Sequence, residues 1–315
     1  MGSEKSETAQ GRDVSPSPEI CSTRAAEQNK RVGRIVVLPK SMRESYRYIK
    51  DMFYDSVAMS QELGKPVWMI TLTTNRNWPE IQDECRRSRT DSNFRFDVCN
   101  RSFDLKRNSM HSHMVWEQIF GRVKGYCTVE EYQGRGLKHE HHLYVMDEAD
   151  APITGEDVDR MIWAFFPDKA KHPRLFELVV RLMIHTPCLT PNAPCRRKGR
   201  AKCKAGFPFD FRDTTDISGK RPLYRRPNDG RGIVKTINGQ RFFIDKRWIV
   251  PFNPLLLLEE GAHINVMYCP STSACKYFYG YVFKGSFSNR VRLSIAQRNA
   301  DSPNDAEYNH DEIQE

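Results

Sequence analysis

Residues 123–146, VKGYCTVEEYQGRGLKHEHHLYVM, contain two candidate strands and the densest histidine cluster of the chain. Residues 123–132 and 139–146 each have the length and composition of a β-strand, and a glycine-containing segment joins them. The second strand opens with three histidines and one glutamate in four positions. The cluster is therefore either a metal site on a strand or a polar surface strand with incidental histidines.

Side chains alternate between the two faces of a strand, so His139 and His141 should share one face while Glu140 and His142 take the other. Two imidazoles on one face can reach a single ion. Glu131 lies just before the turn and is placed to add a carboxylate from the neighbouring strand. Such a ligand set leaves open positions on a metal, as Lewis-acid chemistry requires. Spacing alone does not distinguish this site from the surface strand.

Composition indicates a soluble intracellular protein with a polyanionic partner. The 315 residues suffice for one large domain or two ordinary ones, and 49 Lys and Arg against 40 acidic residues give a net charge of +9. The sequence shows neither a signal-peptide pattern nor an apolar run of the ~18 residues that a membrane span needs. Without a secretion signal, the nine cysteines indicate reduced thiols or metal ligands rather than disulfides.

Polar composition at both ends predicts a central domain between two flanking segments. We expect a disordered segment over 1–34, a domain over 35–290 and a polar tail over 291–315. Within the domain, residues 185–232 are rich in Pro, Arg, Lys and Cys and are predicted to be an insertion with little core of its own.

Strands and helices are interspersed without regular β-α alternation, which favours an α+β fold. Periodicity and turn signals predict six further elements besides the two strands above. They are a helix within 41–64, a strand over 67–74, helices over 155–166 and 174–185, a hairpin turning at Asn238-Gly239 and a last helix over 272–284.

The last predicted helix, SACKYFYGYVFKG (273–285), contains a pair of tyrosines on one face. Tyr277 and Tyr281 are four residues apart, and Lys276 and Lys284 lie near them. A tyrosine hydroxyl can attack a phosphodiester when a divalent metal polarises the phosphoryl oxygens and cations stabilise the developing charge. An aromatic stripe at helical spacing is more often part of a core, so this pattern by itself does not establish catalysis.

The insertion contains four soft metal ligands, His185, Cys188, Cys195 and Cys203. In a region poor in apolar residues, such an array suits a closed structural Zn²⁺ site, and the alternative is buried or idle thiols. Cationic residues near the two clusters are candidate phosphate contacts. They are Arg135, Lys138, Arg196, Arg197, Lys198 and Arg200, with Lys276 and Lys284 beside the tyrosines.

A two-histidine strand followed far downstream by a paired-tyrosine helix resembles the His-hydrophobic-His endonucleases of rolling-circle replication and transposition. More specifically, the chain resembles the Rep nuclease region of Helitron transposons, the Helitron helicase-like domain. The resemblance spans roughly residues 45–285. Its motifs are TLTTNRNWPEI (71–81), EYQGRGLKHEH (131–141), MIHTPC (183–188), GQRFFIDKRWIVPFNP (239–254), HINV (263–266) and KYFYGYVFKG (276–285).

The resemblance implies a small antiparallel sheet of ferredoxin-like type with helices on one face and a similar cysteine cluster. It implies Mg²⁺ or Mn²⁺ held by His139, His141 and Glu131, with Tyr277 and Tyr281 as nucleophiles. Tyrosine attack in such enzymes leaves a 5′-phosphotyrosyl link and a free 3′-hydroxyl. The implied partner is single-stranded DNA at transposon ends, with a helicase supplied in trans, and the implied location is the nucleus.

Two features depart from the family pattern. Residue 140, between the two histidines, should be small or apolar and is a glutamate. The family's ATP-driven helicase is not represented, because SGKRPL (218–223) lacks the glycine spacing and hydroxyl residue of a phosphate-binding loop, and the chain ends at DEIQE. We therefore expect a truncated nuclease, with an inactive, transposon-derived DNA-binding protein as the alternative. A zinc hydrolase of small substrates ranks last, since it leaves the tyrosines and the basic insertion unexplained.

Overall fold

A computed structural model of the protein describes residues 41, 45–132, 136–186, 195, 203–269 and 290–295. In chain order the elements are α1 (Tyr46–Leu63), β1 (Trp68–Thr73), α2 (Pro79–Ser88), α3 (Phe96–His111), β2 (Val123–Tyr132), β3 (Lys138–Met146), α4 (Gly155–Met161), α5 (Pro173–Leu182), β4 (Gly232–Ile237), β5 (Gln240–Asp245), α6 (Pro254–Glu260), β6 (His263–Tyr268) and β7 (Arg290–Ile295). Within these ranges no helix has the length and apolar character needed to cross a membrane.

Five strands form one sheet in the order β6-β1-β3-β2-β7, while β4 and β5 pair separately as a hairpin. Every neighbouring pair of strands in the main sheet is antiparallel. The histidine strand β3 lies at the centre of this sheet, with β1 on one side and β2 on the other. The predicted α+β class with a small antiparallel sheet is therefore confirmed.

One face of the sheet packs on the helices that follow β1. Alternate residues of β1 point to this face, and Trp68, Ile70 and Leu72 have no exposed surface. Ile81 of α2 and Phe103 of α3 are equally buried in the same cluster. Burying side chains of this size contributes about 1.5–3 kcal/mol each, so this layer fixes the position of β1 under the helices.

Most of the strands predicted from periodicity are present. The predicted strands over 67–74, 123–132 and 139–146 are β1, β2 and β3, and the predicted helix within 41–64 is α1. The β4–β5 hairpin turns at Asn238 and Gly239, whose φ angles of 50° and 79° match the two left-handed positions of a tight hairpin turn.

Two predicted helices are shorter than expected because backbone bridges end them. Thr154 caps α4 as predicted, but the helix ends at Met161 rather than 166, since Trp163 exchanges backbone hydrogen bonds of 2.8 and 2.9 Å with Phe252. α5 ends at Leu182 rather than 185, and the His185 N–H donates to the carbonyl of Trp248 at 2.9 Å.

The predicted domain boundary at residue 290 is wrong, because β7 extends the sheet to Ile295 by pairing with β2. The sequence RVRLSI alternates polar and apolar residues, which is the strand signal that the polar surroundings obscured. The predicted disordered segment over 1–34 and the predicted helix over 272–284 lie outside the described residues.

The described part of the insertion packs into the main domain, contrary to the expectation of little core. Phe207 and Tyr224 join the central hydrophobic cluster. The buried Arg226 guanidinium donates to the backbone carbonyls of Ala164 at 3.1 Å and Lys246 at 2.5 Å. These contacts bind the insertion to segments on either side of it in the sequence.

Candidate functional site

The two histidines of the predicted metal site lie side by side on the central strand. The rings of His139 and His141 are 4.7 Å apart between centroids and nearly perpendicular, at 84°. Glu131 of β2 is directly opposite His139 in the strand register. Opposed residues of antiparallel strands point to the same face, so all three side chains belong to one side of the sheet, as the alternation predicted.

Each of these histidines contacts a threonine of β1 through the same ring atom. Thr73 Oγ1 lies 2.8 Å from His139 Nδ1, and Thr71 Oγ1 lies 3.0 Å from His141 Nδ1. Both pairs are directly opposite each other in the β1–β3 register. Neither threonine was singled out from the sequence, although both belong to the TLTT motif.

A third histidine belongs to the same face of the sheet. His263 of β6 is opposite Thr73, which in turn is opposite His139. Its Nδ1–H donates to the carbonyl of Leu182 at 2.7 Å, and burial lowers its pKa. Sequence reasoning missed this residue as a site component, because only the HINV motif of the family resemblance pointed to it.

The imidazole of His139 is held in its neutral form. Burial, with a smaller contribution from the nearby His263, lowers its pKa to about 4. A metal-ligating histidine must be neutral, so the side chain needs no deprotonation at neutral pH before it can bind a cation. The donor chemistry of the two imidazoles and the Glu131 carboxylate therefore fits a divalent ion.

Two other groups of three side chains in the described ranges have donor atoms that all lie within 4.8 Å of one another. They are His185, Cys195 and Cys203 in one group, and Asp104, Glu130 and Glu140 in the other. Glu131, His139 and His141 do not form such a group. Glu131 is partly exposed at the end of β2.

Two cations of the protein itself offset most of the charge of the acidic group. Lys138 Nζ lies 2.7 Å from Asp104 and 3.5 Å from Glu130, and Arg107 Nη1 lies 3.4 Å from Glu140. The five side chains form a largely buried ion-pair network that joins β2 and β3 to α3. The ammonium and guanidinium groups already offset two of the three carboxylate charges, which weakens the case for a metal ion there.

This network corrects the prediction that Lys138 contacts phosphate. Lys138 begins β3 on the face opposite His139, and only 7% of its surface is exposed. The network also explains how Glu140 is accommodated where the family pattern has a small or apolar residue. Glu140 is 2% exposed and points towards α3, away from the two metal-site histidines, so it leaves their face of the strand unchanged.

Three of the four predicted zinc ligands lie together at the edge of the insertion. His185 Nε2 is 3.7 Å from Cys203 Sγ, and Cys195 completes the group. The His185 ring stacks on Phe207, with 4.3 Å between centroids, and burial lowers the pKa of this histidine. The fourth predicted ligand, Cys188, lies outside the described residues. A Cys₂His set with a fourth ligand has the composition of a structural zinc site.

The remaining predicted site residues lie outside the part of the chain that the structure describes. They are the nucleophile candidates Tyr277 and Tyr281 and the cationic residues Arg135, Arg196, Arg197, Lys198, Arg200, Lys276 and Lys284.

Comparison with known proteins identifies the N-terminal part of the chain. Residues 5–144 match the family model of the Helitron helicase-like domain at the N-terminus. The matched range includes β1, β2 and the histidine strand as far as Tyr144, and covers somewhat less than half of the chain. No curated protein matches the sequence.

Proposed function

We propose that this chain, whose residues 5–144 match the Helitron helicase-like domain, is a metal-dependent endonuclease and strand transferase acting on single-stranded DNA at transposon ends. The observation that carries the proposal is the pair of adjacent imidazoles, His139 and His141, on one face of the central strand with Glu131 opposite. A cation held by these three ligands would keep coordination positions open, and phosphate oxygens can occupy them.

The topology of the sheet supports a nuclease fold of ferredoxin-like Rep type. Four strands follow the order β6-β1-β3-β2, with helices between β1 and β2 and again between β3 and β6. This is the split β-α-β arrangement of ferredoxin-like sheets. β7 then adds a fifth strand beside β2.

His139, His141 and Glu131 are the residues that we propose to hold Mg²⁺ or Mn²⁺. When bound, the cation polarises the oxygens of the scissile phosphate. Two imidazole ligands and one carboxylate favour Mn²⁺ over Mg²⁺, because Mg²⁺ prefers an all-oxygen shell. The protein contributes the neutral imidazoles and their fixed spacing.

Tyr277 and Tyr281 are the proposed nucleophiles. In the cleavage step the tyrosine Oη forms a bond to phosphorus, the bond between phosphorus and the 3′ oxygen breaks, and the tyrosine proton is transferred to the departing 3′ oxygen, which leaves as a hydroxyl. The 5′-phosphotyrosyl link keeps the bond energy for rejoining, so two tyrosines allow two sequential transfers. Lys276 and Lys284 are proposed to stabilise the charge that develops on the phosphate.

The chain segment that contains these tyrosines starts and ends on the sheet that carries the histidines. β6 and β7 are the two edge strands, and they flank residues 269–289. The end of β6 and the start of β7 lie at opposite corners of the sheet, about 25 Å apart for strands spaced by about 4.8 Å that rise about 3.3 Å per residue. A segment of this length, attached at both ends, is long enough for the tyrosines to reach the proposed site.

The cysteine cluster and the basic residues around it are proposed to bind DNA beside the nuclease site. His185, Cys188, Cys195 and Cys203 would hold a structural Zn²⁺, and Arg196, Arg197, Lys198 and Arg200, with Arg135, would contact phosphates. The proposed location is the nucleus. ATP-driven unwinding needs a phosphate-binding loop, and SGKRPL (218–223) does not have the pattern of one. We therefore propose that a helicase acting in trans unwinds the DNA.

A second candidate function is DNA binding without catalysis, by a protein derived from such a nuclease. The observation that favours it is that the donor atoms of Glu131, His139 and His141 do not all lie within 4.8 Å of one another. A divalent metal would then not stabilise the fold, whereas salt-sensitive DNA binding would persist.

The decisive experiment mixes the purified chain with 5′- and 3′-labelled single-stranded oligonucleotides and Mn²⁺, followed by denaturing gels. We expect label from the 3′ portion to move with the protein, and to be lost in His139→Ala and in Tyr277→Phe or Tyr281→Phe. Tyr279→Phe is the matched control, because it removes a neighbouring hydroxyl outside the pair. Absence of any adduct or nick, with DNA binding intact, would establish the non-catalytic alternative.

A further inference from the structure

The same hydrogen-bonded pair occurs twice between β1 and β3, two residues apart. Thr73 faces His139 and Thr71 faces His141, and each hydroxyl lies within 3.0 Å of an Nδ1 atom. Side chains two residues apart share a face, so the two contacts form a row beside the proposed metal site. If the two contacts were only a result of side-chain packing, there would be no reason for both histidines to contact the threonine hydroxyl through the same ring atom, Nδ1.

A neutral imidazole carries a single N–H, and the partner of Nδ1 determines which nitrogen holds the proton. If the threonine oxygen accepts from Nδ1–H, the Nε2 atom keeps its lone pair and can bind a metal. If the hydroxyl donates to Nδ1, the proton lies on Nε2 and metal binding through Nε2 is blocked. The direction of these two hydrogen bonds therefore decides whether the site can bind a cation.

The strand that carries the threonines is firmly held. β1 pairs with β3 on one side and with β6 on the other, so its backbone groups are engaged on both edges. Thr71 is 7% exposed, and its β-branched side chain has few rotamers available in a strand. The hydroxyls are thus fixed relative to β3, and each can hold its imidazole at one orientation.

We propose that Thr71 and Thr73 are positioning residues that accept hydrogen bonds from Nδ1–H of His141 and His139, so that both histidines present Nε2 to a divalent cation. The inference rests on the metal site proposed above and assigns the residues that prepare it. Partners of this kind orient metal-binding histidines, and their loss typically weakens metal affinity by about 10–100-fold.

The test compares two double variants and one single variant of the full chain with the wild type. Thr71→Val with Thr73→Val keeps the branched shape and removes both hydroxyls, whereas Thr71→Ser with Thr73→Ser keeps the hydroxyls. Thr74→Val is the matched control, because Thr74 is a buried neighbour whose hydroxyl donates to the Lys138 carbonyl at 2.7 Å and not to a histidine. The readouts are histidine ¹⁵N shifts without metal, which report the tautomer, the Kd for Mn²⁺ by calorimetry, and the Tm of the metal-free protein.

We expect the Nδ1–H tautomer at both histidines in the wild type and the serine variant. The valine variant should lose this preference and bind Mn²⁺ about 10–100-fold more weakly, while the Thr74→Val protein keeps the wild-type Kd. A metal-free Tm for the valine variant close to that of Thr74→Val would separate positioning from a general loss of stability.

Two results would overturn the inference. One is the Nε2–H tautomer at His139 or His141 in the wild type, and the other is an unchanged Kd for Mn²⁺ in the valine variant. The second result would leave the proposed metal site standing. A wild-type protein that shows the Nδ1–H tautomer at both histidines but binds no Mn²⁺ would instead overturn the proposed nuclease and support the tautomer assignment.

Discussion

Glu260, the last residue of α6, is a buried carboxyl whose protonation should set part of the pH dependence of stability. Burial raises its pKa to about 7 from an ordinary value of 4.5, with partial offset by the Ser109 hydroxyl and Lys106. The folded state therefore binds more protons than the unfolded state between these two pH values. The free energy of unfolding should fall as pH rises through this window and stay level below it.

Replacing Glu260 by Gln removes this titration. We expect the variant to gain about 3 kcal/mol relative to the wild type between pH 4.5 and pH 8, since the pKa of Glu260 is raised from 4.5 to about 7 and one pKa unit corresponds to about 1.4 kcal/mol. Urea unfolding across this range measures the difference. Glu259→Gln is the matched control, because that neighbouring side chain is exposed. Parallel pH profiles for wild type and Glu260→Gln would contradict the prediction.

Arg107 of α3 should be needed for stability because it compensates the buried Glu140. We expect Arg107→Met to lower the free energy of unfolding by about 2 kcal/mol, less than the full cost of an unpaired buried charge because the contact is long, at 3.4 Å. Arg101→Met on the exposed side of the same helix should have little effect. Urea unfolding measures both.

The same pair allows a sharper comparison. Arg107→Met combined with Glu140→Leu should recover most of the lost stability, because the family pattern has an apolar residue at position 140 and the pair is then replaced by packed apolar groups. Purely additive losses in the double variant would show that the two side chains do not interact.

At the residue scale, the sequence predicted which side chains share a face but not what lies above each face. Alternation placed His139 with His141 and Glu140 with His142, and the register agrees. The position of Lys138 was misjudged because its main partner, Asp104, is 34 residues away on a helix that no pattern had predicted. A long-range ion pair leaves no local signal in the sequence.

At the scale of elements, α4 docks so closely that its first residue must be glycine. A Cβ at Gly155 would lie 1.9 Å from the Thr215 carbonyl oxygen, so the two backbones would have to separate. We expect Gly155→Ala to lower the free energy of unfolding by about 2 kcal/mol or more, despite the better helix propensity of alanine. Gly219→Ala, where the nearest atom would be 3.5 Å away, is the control. Equal Tm values for the two variants would contradict the close approach of α4 to the Thr215 backbone.

Elements with strong apolar alternation could be predicted, whereas those that depend on their neighbours could not. β1, β2, β3 and the β4–β5 hairpin carry clear local patterns. α2 and α3 are polar overall and bury only a narrow stripe, such as Ile81 and Phe103, against the sheet. The order of the strands follows from long-range packing and was expected only through the family resemblance.

At the scale of the whole molecule, the cysteine cluster should tie the insertion to the domain through zinc. We expect one zinc per purified chain by metal analysis, and its loss in Cys195→Ser with Cys203→Ser, together with a lower Tm, because a structural metal contributes directly to folding. Cys85→Ser, a buried cysteine of α2 outside the cluster, should retain the metal. A full complement of zinc in the double variant would contradict the assignment.

The two faces of β3 have a consequence for how the sheet is aligned. Sliding this strand by one residue against its neighbours would turn Lys138 and Glu140 towards the threonines and bring His139 and His141 under α3. A slide by two would keep each side chain on its own face, yet leave only one of the two imidazoles opposite a threonine hydroxyl. Only the observed alignment places both imidazoles opposite threonine hydroxyls while Lys138 and Glu140 keep their ion pairs. Errors of register during folding would therefore lose contacts on both faces of β3.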